Sequence, residues 1–130
     1  MIQSIEVPIA TGELIDKITI LEIKAARISD AAKTANVGVE LALLLARRDE
    51  ALAPDPVLDR LAARLKAVNE RLWDLEDQIR DCERRQDFGP VFVNVARSIY
   101  RANDQRASLK REINVASGSK LMEEKSYAGD

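Results

Sequence analysis

Two rows of apolar residues at alternating spacings of three and four decide what this chain can fold into. The first row is Leu58, Leu61, Leu65, Val68, Leu72, Leu75, Ile79 and Cys82. The second is Phe92, Val95, Ile99, Ala102, Arg106, Leu109, Ile113 and Ala116. An unbroken rhythm of this kind predicts two long amphipathic helices joined along a coiled-coil-like seam. Between the rows lies Gln86-Asp87-Phe88-Gly89-Pro90, where the Gly-Pro pair marks a turn. The expected unit is a long antiparallel helical hairpin over 56–116, with helices at Pro56–Arg85 and Pro90–Ala116. One member of the second row, Arg106, is a charge where the rhythm expects a hydrophobe.

The rest of the chain reads as helices added to that hairpin. Ser4 to Ala10 alternates with period two and contains Pro8, which restricts it to an edge or an arm. Thr11 is a candidate N-cap, followed by Glu13 and Asp16 early in a helix, where the macrodipole favours acids. That helix is expected over Gly12–Ile28. Leu14, Ile18, Leu21, Ala25 and Ile28 share one face, and Ile15, Ile20 and Ile23 lie outside it. A helix apolar over more than half its girth belongs in the centre of a bundle. Asp30 ends it or caps the next helix, expected over Lys33–Ala53 with Gly38 weakening its start. Ala53-Pro54-Asp55-Pro56 is a stop, with Asp55 placed to cap the third helix and Pro56 at its first position. Ser117-Gly118-Ser119 ends the fourth, leaving a polar tail. The reading is a single all-α domain over 1–130: an up-down bundle of about four helices, a short extended arm over 1–11 and a tail over 117–130.

Composition removes several kinds of chemistry. There is no His, so the commonest general base and metal ligand are both missing. Cys82 is the single cysteine, which excludes a disulfide within the chain and a thiolate zinc site. A Ser-His-Asp triad is impossible. The 22 acids and 20 bases leave a net charge of −2, which does not predict nucleic acid as a partner. Leu14–Ile28 is the most apolar window, and five charges interrupt it, so no membrane span is expected. The N-terminal residues do not read as a signal peptide, and the expected location is the cytoplasm.

Folding the hairpin places residues opposite each other when their numbers sum to roughly 175, because both arms rise equally per residue. Asn69 then lies level with Arg106, Trp73 with Asn103, and Glu76 with Tyr100. Arg80 falls about one turn from Arg97. The stripe Asn69, Trp73, Glu76 and Arg80, with Arg97, Tyr100, Asn103, Arg106 and Lys110, is the candidate polar groove. Two readings compete. One is a structural network, with Glu76 paired to Arg80 and Arg106 bonded to Asn69, and with Lys17 or Glu22 of the first helix joining it. The other is a site for an anionic small molecule, since arginines, an acid, amides and aromatic rings converge there. A second cluster, Glu70, Asp74, Asp77 and Asp81, puts four carboxylates on one helical face. Without a matching acidic pair on another helix it reads as a solvated face, and neither a metal nor a cofactor is expected.

Gly12-Glu13-Leu14-Ile15-Asp16-Lys17-Ile18-Thr19-Ile20-Leu21-Glu22-Ile23-Lys24 resembles the N-terminal signature of an uncharacterised bacterial family, a domain of unknown function. So do Leu72-Trp73-Asp74-Leu75-Glu76-Asp77-Gln78-Ile79-Arg80-Asp81-Cys82-Glu83, Phe88-Gly89-Pro90 and Glu123-Glu124-Lys125-Ser126-Tyr127, which together extend the resemblance over nearly the whole chain. The pattern of Asn69, Leu72, Trp73, Glu76, Asp77 and Arg80 with Asn103 and Arg106 also looks like the core of a second, larger uncharacterised family. Members of both tend to be encoded beside glycosyltransferases of surface-polysaccharide or lipopolysaccharide assembly. The resemblance implies a bacterial cytoplasmic protein with an accessory role in glycan synthesis and a protein partner such as a glycosyltransferase. It transfers no catalytic residue.

The expected function is a non-enzymatic binding or scaffold module. The apolar surface on the first helix and the seam suggests a homodimer. The runner-up is a small all-helical enzyme, chorismate-mutase-like by analogy of fold only. There Arg80, Arg97, Arg106 and Lys110 hold an anionic substrate, and Glu76 or Tyr100 acts on a proton.

Overall fold

The structure is a computed structural model that describes residues 4–129. Four helices follow in order: α1 (Thr11–Arg27), α2 (Ala31–Ala51), α3 (Pro56–Arg84) and α4 (Pro90–Ser117). No strand occurs among the described residues, and the chain is an all-α bundle. Residues 4–10 have no regular secondary structure; positions 1–3 of the expected arm and Asp130 of the tail lie outside the described residues.

Local capping explains where two helices start. The Asp30 carboxylate accepts from the Lys33 N–H at 3.0 Å and opens α2. The Asp55 carboxylate accepts from the Val57 N–H at 2.9 Å and opens α3, with Pro56 at its first position as expected. α4 also begins on a proline, and it ends at Gly118, which has φ 69°. That left-handed residue lets the Ser119 N–H reach back to the Asn114 carbonyl at 2.9 Å and turns the chain back along α4.

α1 departs from expectation at its start. Its N-cap is Ala10, without a side-chain cap, and Thr11 is already helical. The cap is supplied from the other end of the chain. The Gly12 N–H donates to Asn114 Oδ1 at 2.6 Å, and the Thr11 N–H reaches Ser119 Oγ at 3.4 Å. This contact requires glycine at position 12, because a Cβ there would overlap the Lys110 carbonyl.

α1 touches α2, α3 and α4 and is the central helix, as its wide apolar face predicts. It runs antiparallel to α4, with residues 12, 13 and 16 meeting 114, 110 and 106 in turn. Ile15 and Ile18 pack with Leu61, Leu65, Leu109 and Ile113, and Leu41, Leu44 and Leu45 of α2 close over that cluster. A second cluster lies farther out along the hairpin, where Leu75, Val95 and Ala102 pack with Leu72, Ile79 and Ile99. The seam residues of both arms therefore face each other as the rhythm requires. Between the two clusters the seam is polar.

Gly12→Ala is expected to destabilise the protein by about 1–3 kcal/mol in urea unfolding, because backbone blocks the added methyl. A neutral effect would show that α1 and α4 do not meet this closely.

Candidate functional site

The polar interruption is built around Asp16, which is 1% exposed. A carboxylate so far from water must be fully hydrogen-bonded to be tolerated. Two helices supply the bonds. From α3, Asn69 Nδ2 donates to Asp16 Oδ1 at 2.9 Å and contacts Thr19 Oγ1 at 3.0 Å. From α4, Arg106 Nε donates to Oδ1 at 2.9 Å, and one Nη donates to Oδ2. The Thr19 hydroxyl in turn donates a hydrogen bond to the Asp16 backbone carbonyl at 2.8 Å. The fork geometry of the guanidinium matches the carboxylate, so charge and direction are satisfied together. The hydrogen bond to Asp16, with Coulombic help from Asp16 and Glu13 against burial, holds the Arg106 pKa above its ordinary value.

One turn along α4, Lys110 is also buried. Its Nζ donates to Glu13 at 2.7 Å and to Glu123 of the tail at 3.1 Å. Burial acts to lower its pKa, and the two carboxylates overcome that and raise it. The tail continues along α4 through Arg111–Glu124 at 3.4 Å and Lys125–Asp104 at 2.8 Å. Lys125 also stands 5.2 Å over the Tyr127 ring. Between this tail and α4 lies a groove of about 870 Å³. Arg106 and Lys110 form its floor with Glu13, Tyr100 and Asn103 stand along α4, and Asp104 with Glu123 to Lys125 closes the tail side.

Of the residues read from the sequence as a groove, Tyr100, Asn103, Arg106 and Lys110 come together here. Asn69, Trp73 and Glu76 line a smaller hollow of about 400 Å³, which shares Asn103 and Arg106 as its border with the first. Arg80 and Arg97 line neither. Arg80 bonds Glu76 at 3.4 Å on the exposed side of α3, and Arg97 is exposed on α4. The expected Glu76–Arg80 pair is thus present. Arg106 and Asn69 meet through Asp16, which each of them donates to.

Sequence reasoning named Lys17 or Glu22 as the α1 member of the network, and the member is Asp16. Lys17 is exposed, with only a 3.9 Å contact to Glu13, and Glu22 makes no bond to the layer. The available signal was the stripe Gly12, Asp16, Thr19 and Ile23, which recurs at helical spacing inside a helix already too apolar to have a wet side there. Of the row Glu70, Asp74, Asp77 and Asp81, three acids are held by arginines. Arg27 holds Asp74 at 2.6 Å and Glu70 at 4.0 Å while lying 6.0 Å over the Trp73 ring, and Arg85 holds Asp81 at 3.0 Å. No cluster of acids, Cys or His suited to a metal occurs among the described residues.

These features define an all-helical bundle with a buried charged layer and a polar groove beside it. The chain belongs to a family of unknown function, DUF6165, whose model matches residues 5–130. No curated protein and no solved structure matches it.

Two outcomes follow. In a double-mutant cycle, Asp16→Asn with Arg106→Gln is expected to show a coupling of about 1.5–3 kcal/mol. The exposed Glu76–Arg80 pair, cycled the same way, should give only about 0.3–0.5 kcal/mol. Equal couplings would remove the special standing of Asp16. Lys110 has a raised folded pKa, so its contribution is complete below the ordinary lysine value of 10.5 and is lost as pH rises through the folded value. Stability of the wild type should therefore fall above about pH 10.5, and Lys110→Met should flatten that fall; a parallel decline in both would exclude Lys110 as its source.

Proposed function

We propose that this chain is a non-enzymatic binding module whose working surface is the groove between α4 and the C-terminal tail. In the setting its sequence resemblance suggests, it serves the cytoplasmic enzymes of bacterial surface-polysaccharide assembly, with a glycosyltransferase as the protein partner. One observation carries the reading. Asp16 and Glu13 of α1 hold Arg106 and Lys110 in place along the groove floor, so the surface is rigid before any ligand arrives. Rigid, hydrogen-bonded groups suit recognition. They suit proton transfer less well: Arg106 is committed to Asp16 and Glu76 to Arg80, which leaves Tyr100 as the one uncommitted group that the enzyme reading sets on a proton. Arg80 and Arg97 do not reach the groove.

Pairing of two copies belongs to the same proposal. Val39 and Leu43 on α2, and Phe88, Val91 and Val93 at the hairpin tip, are exposed apolar residues that a second copy can cover.

The test is a thermal-shift screen of the full chain against nucleotide sugars, sugar phosphates, saccharides and aromatic acids, repeated on Asn103→Ala. The Asn103 side chain makes no bond to the described residues, so the variant is expected to fold normally. A compound that raises Tm in the wild type, fails to do so in Asn103→Ala and is recovered unchanged supports the module. Turnover of the compound would overturn the non-enzymatic reading, and an equal shift in the variant would overturn the groove. Sedimentation velocity on the same samples checks pairing, and a monomer at all concentrations would end that part of the proposal.

A further inference from the structure

The groove's charges are not available to a charged ligand. Its three cations face four carboxylates, Glu13, Asp104, Glu123 and Glu124. Each cation already has its acid: Arg106 has Asp16, Lys110 has Glu13 and Glu123, and Lys125 has Asp104. A phosphate or polycarboxylate entering here must either break one of these pairs or sit beside carboxylates with no unpaired cation to meet it, and both oppose binding.

The groups left open are of another kind. The Asn103 amide and the Tyr100 hydroxyl have no protein partner among the described residues. Arg106 uses Nε and one Nη on Asp16, so its other Nη remains free to donate. Asp104 and Glu123 each bond through one oxygen, leaving the other to accept. Donors and acceptors thus stand together in the groove, and its charged donors, on Arg106, Lys110 and Lys125, are each already paired with an acid. A hydroxyl both donates and accepts, so a ligand bearing several hydroxyls can satisfy such a set without disturbing any ion pair. Tyr100 is 54% exposed at the rim and offers a flat apolar face to the C–H side of a sugar ring. A volume of about 870 Å³ is ample for a small saccharide.

We propose that the groove takes an uncharged saccharide and excludes multiply charged anions. This rests on the groove being the binding surface argued above. It also departs from the anionic ligand expected from the sequence, where the cations were visible and their partners were not.

The experiment is an amide NMR titration of the full chain with glucose, maltose and N-acetylglucosamine, and separately with pyrophosphate and UDP. Expected are saturable shifts at Tyr100, Asn103 and Ala107 with at least one of the three saccharides, and none there with pyrophosphate or UDP. Tyr100→Ala should weaken that binding by about fivefold or more while leaving the melting temperature unchanged, because the ring is at the surface. Raising the salt concentration should alter the Kd by less than about twofold, since no net charge is exchanged. Saturable shifts at these residues with pyrophosphate or UDP, weakened by salt, would overturn the saccharide assignment and leave the groove standing as a binding surface. Absence of shifts there with every probe would overturn both.

Discussion

A carboxylate buried in a small helical protein is a constraint that every neighbouring element must meet. Asp16 is met from two directions at once, by Asn69 on one arm of the hairpin and Arg106 on the other. Removing a charge from water is costly, and the geometry that compensates it is narrow. α1 can therefore take only one height and one rotation against the hairpin. Turning it by one residue would put Asp16 against the apolar cluster of Leu65 and Ile113 and leave Arg106 without a counter-charge. The apolar clusters on either side supply most of the burial, but leucine against leucine tolerates sliding. The polar layer between them is where the register is specified.

The same geometry produces the groove. With Asp16 fixed on Arg106, antiparallel α1 brings Glu13 to Lys110 and Gly12 to Asn114. The missing Cβ at Gly12 allows the two helix ends to approach closely enough for α4 to cap α1. Gly118 then reverses the chain, and the tail lies down along α4 on Glu123, Glu124 and Lys125. These tail contacts are mostly exposed ion pairs, each individually weak. The groove consequently has one firm side, set by helix packing, and one lighter side, held by charge.

Much of this was legible in the residues. The hairpin is local information: heptad spacing, Asp55-Pro56 at one start and Gly89-Pro90 at the other. The position of Arg106 inside the seam, level with Asn69, also followed from spacing alone. Asp16 was not legible, because an acid in the first turns of a helix has an adequate local explanation in the macrodipole, and only the packing of α1 reveals that it faces inward. Thr11 failed as a cap for the same reason. An acceptor 102 positions away in sequence, Asn114, had already been brought to that helix end. Arg80 and Arg97 were expected in the groove because they share its stripe, but a shared stripe does not decide where a long side chain goes: Arg80 turns to Glu76 on its own helix, and both arginines are exposed.

The sequence by itself determined the helices, their order, the seam and the charge that interrupts it, since all of these depend on spacing along one chain. Only the tertiary structure decided what that charge does. Whether Arg106 is a ligand's anchor or a protein's own hydrogen-bond donor depends on which residue of another helix stands within about 3 Å of it, a distance set by packing across the bundle. The structure answers that most of the guanidinium belongs to Asp16 and that one nitrogen remains for the groove.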